Sequence, residues 1–101
     1  MKNIIASGKR KRAIARANLS EGTGKVTINK KDYKMLNFFD KLSIEEPIRI
    51  TKEITGKINF DVAISVKGGG EKGQIEAARL SLARAISKFL NSEELTKAFQ
   101  V

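Results

Sequence analysis

Hydrophobic and polar residues alternate most regularly over residues 58–66, INFDVAISV. Ile58, Phe60, Val62, Ile64 and Val66 fall on one face, and Asn59, Asp61, Ala63 and Ser65 on the other. A period of two predicts a strand with one buried and one polar face. A second alternation, AIARANL over residues 13–19, sets Ala13, Ala15, Ala17 and Leu19 against Ile14, Arg16 and Asn18. Its apolar face is built from small residues, which predicts close contact with whatever covers it. NIIAS at residues 3–7 reads as a short strand, interrupted by GKRKR at 8–12. SEGTGK at 20–25 carries two glycines and reads as a hairpin connection, with VTIN at 26–29 as the returning strand.

The period then changes. Over residues 72–90, Ala85, Ala78, Phe89, Leu82, Ile75 and Ile86 occupy a contiguous arc of about 100°, the apolar stripe of a core helix. Tyr33, Leu36, Phe38, Phe39 and Leu42 within residues 30–42 suit a short helix or two turns. Residues 43–57 are read as a further helix, with Glu45-Glu46 as its acidic first turn, Pro47 near N1 and Gly56 at its end. Ser92, Glu93 and Glu94 suit the capped start of a short helix within residues 91–101. The order of strands, helices, strand and helix predicts an α+β domain with helices on one face of one sheet. It divides into basic N-terminal strands (3–29), a helical section (30–57), a strand (58–66), a glycine loop (67–73) and C-terminal helices (74–99).

At 101 residues the chain fits a single domain. Its formal net charge of +9 favours polyanionic partners, either nucleic acid or an anionic membrane surface. The excess is concentrated: residues 1–35 hold 10 Lys and Arg against 2 Asp and Glu, whereas the rest of the chain is close to balanced. No apolar run approaches the roughly 20 residues of a membrane-spanning helix, and the N-terminus is too polar for a secretory signal, so a cytoplasmic location is expected. Cys and His are both absent. That excludes disulfides, zinc fingers and His-based catalysis, and no metal or other cofactor is expected.

Three features are candidates for chemistry. In the loop Lys67-Gly68-Gly69-Gly70-Glu71-Lys72-Gly73-Gln74, glycines permit backbone N–H groups to approach a phosphate, the following helix offers its N-terminus, and Lys67 and Lys72 flank the site. Gly68, Gly70 and Gly73 match the dinucleotide spacing, but the chain is too short for a doubly wound sheet. None of the Gly-Lys pairs at 8–9, 24–25 and 56–57 is followed by the hydroxyl that a P-loop needs. The competing reading is a tight turn that requires positive φ. Lys9, Arg10, Lys11 and Arg12, with Arg16 beyond them, form the second feature. Five cations in eight residues exceed what solubility asks for and suit phosphate contacts, although a short basic run is commonly a solvated face. If this run were extended throughout, Arg10, Arg12 and Arg16 would point one way and Lys9 and Lys11 the other. Third, Gly73, Ala77 and Ser81 recur every four residues beside Arg84 and Lys88. That strip would admit either an RNA backbone or a neighbouring helix. No catalytic constellation is present, and the aromatics form no base-stacking row.

The stretch GGGEKGQIEAARLSLARAI, residues 68–86, resembles the signature of the small-subunit ribosomal protein S-nine family. The matching residues are Gly68, Gly69, Gly70, Gly73, Gln74, Ala77, Ser81, Ala83, Arg84, Ala85 and Ile86. SGKRKRAIARA (7–17), GTGKVTIN (22–29) and INFDVAISVKGGG (58–70) are similar to the family's basic strand, hairpin and last strand, in order. KRKR and EEP look archaeal-like. The resemblance implies a two-layer sandwich with a four-stranded mixed sheet, helices on one face, and a left-handed crossover, contrary to the usual hand. It implies a structural constituent of the small-subunit head that binds small-subunit ribosomal RNA beside other ribosomal proteins of the head. Lys9, Arg10, Lys11, Arg12, Arg16, Lys67, Gly68, Gly69, Gly70, Lys72, Gly73, Gln74, Arg84 and Lys88 are then the RNA-binding candidates. Family members continue into a Lys/Arg-rich tail that touches peptidyl-site tRNA. This sequence stops at Val101, so no tRNA contact is assigned to it.

Two rival functions stand beside this one. A small phosphotransferase or nucleotide-binding domain would use the glycine loop, but it lacks the P-loop hydroxyl and a magnesium-carboxylate constellation. A non-specific DNA-binding protein would use the same charge without ribosomal specificity.

Overall fold

The computed structural model describes residues 3–90. The helix expected within 91–101 lies outside them. Strands β1 (Ile4–Arg10), β2 (Ala13–Glu21), β3 (Val26–Ile28) and β4 (Lys31–Asp32) come first, followed by a 3-10 turn, Tyr33–Met35. Helix α1 (Phe38–Thr55), strand β5 (Phe60–Lys67) and helix α2 (Glu71–Leu90) complete the chain. The sheet runs β1-β2-β5-β3-β4, with β3 parallel to β5 and the other pairs antiparallel. The domain is α+β with a mixed open sheet, as expected, but it has five strands where the sequence suggested four. The added strand follows a turn whose two residues, Asn29 and Lys30, both have positive φ (50° and 70°). Asn-Lys lacks the glycine that normally announces such a turn.

The expected hairpin between β2 and β3 is not formed, because β5 lies between them. The loop after β2 instead crosses the start of β5 and is tied to it. Gly24 N donates to Phe60 O (2.9 Å) and Val62 N to Lys25 O (2.8 Å). The Asp61 carboxylate accepts the N–H groups of Thr23, Gly24 and Lys25 at 3.0, 3.2 and 2.9 Å. These bonds, that from Lys25 foremost, hold its carboxyl below the usual carboxylate range despite the opposing effect of burial. At the other end of β3, the Asn29 side chain continues the ladder by accepting from Val66 N at 2.9 Å.

The two helical segments expected over 30–57 resolve into the 3-10 turn and one helix. Asn37 caps α1, its side chain accepting from Asp40 N at 3.0 Å, and Gly56 terminates it at φ 85°. Pro47 therefore lies well inside the helix rather than at N1. It is fully buried, and its carbonyl accepts the Thr51 hydroxyl at 2.7 Å. Interior proline costs a helix roughly 3 kcal/mol, so the core contact must offset a loss that propensity alone would not tolerate. Phe38 and Phe39 sit at the first turn and are 67% and 77% exposed, because the buried face of α1 begins only at Ile44.

Both helices cover one face of the sheet. Ala6, Ala13, Ala15, Ala17, Leu19, Val26, Phe60, Val62, Ile64 and Val66 meet Ile44 from α1 and Ala77, Ala78, Leu82, Ala85 and Ile86 from α2 in one core. The small residues on β1 and β2 permit α2 to lie almost on the backbone. A Cβ on Gly8 would stand 2.7 Å from both Ala77 O and Ser81 N. The buried hydroxyls of Thr51 and Ser81 are each satisfied within their own helix, by Pro47 O and Ala78 O.

Gly8→Ala should destabilise the fold at or above the upper end of the ~1–3 kcal/mol range for overpacking, and thermal melting should read a Tm loss of roughly 10 °C or more. Asp61→Asn should lower Tm at neutral pH. Since the native carboxyl is more acidic than the unfolded one, its contribution is complete above the unfolded value and lost as pH falls through the native one. The gap between wild type and variant should therefore narrow below about pH 4.

Candidate nucleic-acid interface

The basic run is a hairpin. β1 and β2 pair through Arg10↔Ala13, leaving Lys11 and Arg12 as the two-residue turn, with Lys11 at φ 56°. The turn resets the alternation expected for an extended run. Lys9 and Arg16 now share the sheet face opposite the helices, whereas Arg10 lies on the helix side, its Nε donating to Glu76 at 2.8 Å. Lys11 and Arg12 project from the tip, exposed.

The glycine loop packs against that tip. Gly68 and Gly69 both have positive φ (75° and 66°). A Cβ on Gly68 would stand 2.6 Å from Arg12 O, and one on Gly69 would stand 3.0 Å from Ala13 N. Both the backbone conformation and the close approach therefore demand glycine here, whatever the loop binds. Gly70 is under neither constraint. Gln74 secures the loop: its side chain donates to Gly68 O at 3.0 Å and its N–H to Gly70 O at 2.9 Å. Gly73 is buried near Arg10 O and the Ala13 side chain. Lys67 is paired with Ile14 in the β2–β5 ladder and is exposed, as is Lys72 in the first turn of α2. The loop, the basic turn and the start of α2 thus form one cationic end.

Arg84 and Lys88 stand elsewhere, along the free edge of β1. Arg84 donates to Ser7 O at 2.9 Å and Lys88 to Ile5 O at 3.2 Å. The adjoining Gly73, Ala77 and Ser81 are buried, and Ala77 and Ser81 meet Gly8 directly, so the partner admitted by this strip is a strand of the same chain. Among the described residues, a second ion pair links Arg79 to Glu46, joining α2 to α1.

Some cationic residues at this end were not singled out from the sequence. Lys30 lies in the β3–β4 turn and Lys31 follows it, and Asn29 fastens that turn to Val66, one residue before Lys67. Only the tie to β5 gives them that position, and spacing carries no sign of it. Tyr33 is a buried core residue. Burial, together with the nearby Glu45 carboxylate, raises its pKa and leaves it un-ionised. Among the described residues no cluster of acidic side chains could hold a metal, and no helix is long and apolar enough to cross a membrane.

The family model described as ribosomal protein S9/S16 matches residues 8–100. The small ribosomal subunit protein uS9 of Methanococcus vannielii is 43% identical over 100 residues, covering 98% of this chain and 73% of that protein. The uS9 proteins of Parabacteroides distasonis (42% identical, 93% of this chain, 72% of that protein) and Desulfurococcus amylolyticus (36%, 99% and 71%) are also similar. With a glycine signature fixed by geometry and similarity along nearly its whole length, the chain belongs to the ribosomal protein S9/S16 family.

Proposed function

We propose that this protein is a structural component of the small ribosomal subunit, seated in its head, and that it binds small-subunit ribosomal RNA through phosphate contacts. As a member of a structural ribosomal family it is not an enzyme, and the phosphotransferase reading falls away with that membership. The observation that carries the RNA contact is the junction of the Lys9–Arg12 hairpin with the Gly68–Gly70 loop. It gathers Lys9, Arg10, Lys11, Arg12, Lys67 and Lys72 at one end of the domain. Arg16 extends this surface onto the sheet, Gly68 to Gly73 contribute backbone N–H groups around the start of α2 while Gln74 holds the loop in place, and Arg84 and Lys88, bonded to the β1 carbonyls, border the RNA at the β1 edge. The exposed group of Met35, Phe38 and Phe39 supports contact with a neighbouring ribosomal protein of the head.

Binding of this kind is dominated by counterion release and falls steeply with salt. Lys11→Gln combined with Arg12→Gln should weaken affinity for small-subunit rRNA and flatten the slope of log K against log salt by about 1.4 to 1.8. An unchanged slope would remove the hairpin from the interface. Competition by duplex DNA at matched salt should be weak; equal competition would favour the non-specific reading. The loop is tested separately. Gly68→Ala should lose stability, because it adds a clash with Arg12 O to a strained φ. Gly70→Ala should leave the melting temperature within about 2 °C of wild type. Any loss of RNA affinity in Gly70→Ala then reports on the loop's contact and not on folding.

A further inference from the structure

We propose that the RNA backbone lies on the open face of the sheet, across β1, β2 and β5, and not only at the hairpin tip. This rests on the RNA-binding reading above and adds the surface. Both helices occupy the other face, so alternate residues of the three strands are uncovered: Ile5, Ser7 and Lys9; Ile14, Arg16 and Asn18; Ala63, Ser65 and Lys67. The pairing register sorts them into rows. Lys9, Ile14 and Lys67 form one row across the three strands, and Ser7, Arg16 and Ser65 form the next.

Three properties of these rows fit a sugar-phosphate backbone. They hold three cations and no acid. On this face the acidic strand residues are Asp61, two rows beyond Arg16 (about 13 Å), with its carboxylate turned to the N–H groups of Thr23, Gly24 and Lys25, and Asp32 on the far edge strand β4, its carboxylate accepting from Lys34 N. Among the described residues, no ion pair or hydrogen bond engages the side chains of Lys9, Arg16 or Lys67. At the contacts of α2 with β1 and α1, by contrast, Arg10 and Arg79 are paired with Glu76 and Glu46, and Arg84 and Lys88 are bonded to β1 carbonyls; the unengaged Arg49 and Lys52 lie on the outer face of α1, beside Glu45, Glu46 and Glu53 in sequence. Finally, Ser7 and Ser65 flank Arg16 with hydroxyl donors and little bulk, so a phosphate can come close to the sheet. Ile14, 52% exposed between the two lysines, offers an apolar surface to the sugars. Lys11 and Arg12 extend the same cationic surface past the end of the sheet.

The test is a charge-matched comparison of affinity for small-subunit rRNA at about 0.1 M salt. Ser7→Glu with Ser65→Glu places two negative charges in the Arg16 row. Arg49→Glu makes the same net change on the outer face of α1. The double variant should bind about tenfold or more weakly, and Arg49→Glu within about twofold of wild type. Equal losses in the two would overturn the proposal, because net charge alone would then account for them. Unchanged binding in the double variant, while Lys11→Gln with Arg12→Gln still weakens it, would confine the RNA to the hairpin tip and leave the RNA-binding function standing. Failure of the wild type to bind would overturn both. If the double variant does not fold, lysine acetylation of the wild type with and without rRNA decides. Protection of Lys9 and Lys67 relative to Lys52 supports the open face, and equal protection overturns it.

Discussion

The contact on which this fold depends is that between the backbone of α2 and the β1–β2 hairpin. At Gly8 there is no room for a Cβ, and beside it stand Ala6, Ala13, Ala15 and Ala17 against Ala77, Ala78, Ser81 and Ala85. So small a set of side chains buries little area per residue. Its stability comes from the density of contact that close approach permits. Larger residues, Leu19, Ile64, Leu82, Ile86 and Phe60, supply the bulk of the same core. The close approach also explains how an exposed sheet edge is managed: Arg84 and Lys88 are brought within reach of the β1 carbonyls and cover them with charge.

The same approach sets the position of the glycine loop. With α2 pressed against β1, the connection from β5 must pass directly over the hairpin turn, where only glycine fits beside Arg12 O and Ala13. Two of the three consecutive glycines are thus accounted for by backbone geometry. What this does for function is indirect. It joins a cationic turn to the start of a helix whose first N–H groups lack intrahelical partners, and so builds a concentrated positive end. At the opposite end of β5, Asp61 performs the complementary task. It ties the loop that separates β2 from β3 and so makes room for β5 between them.

The cations divide into two populations. Those at the contacts of α2 with β1 and α1 (Arg10, Arg79, Arg84 and Lys88) are engaged inside the molecule by Glu76, Glu46 and the β1 carbonyls, whereas those of the hairpin turn and the open sheet face, like Arg49 and Lys52 on the outer face of α1, are unengaged among the described residues. Sequence charge counts cannot make this division, because it depends on which partner lies across the interlayer contact. It matches a protein that keeps one face for its own packing and another for a polyanion, with the buried hydroxyls of Thr51 and Ser81 satisfied internally and playing no part in either.

The alternations of β2 and β5 and the apolar arc of α2 were legible in the sequence, because a period of two or of 3.6 is imposed by local backbone geometry. The glycine signature and the basic run were legible too, as was the family they resemble. Strand order was not. Val26 to Ile28 carry the same β-branched pattern whether they pair with β2 or with β5, and the choice falls to Asp61, Asn29 and the loop hydrogen bonds. The start of α1 was misplaced because Pro47 normally opens a helix, and only burial against the core made its interior position tolerable. The direction of Lys9 and Arg10 depended on a turn at Lys11 and Arg12 that no glycine announced. By itself, the sequence determined what each segment is and what charge it carries, since those follow from neighbours along the chain. Tertiary structure decided which charges face one another and which face outward, since that follows from contacts between residues as far apart as Ser7 and Arg84.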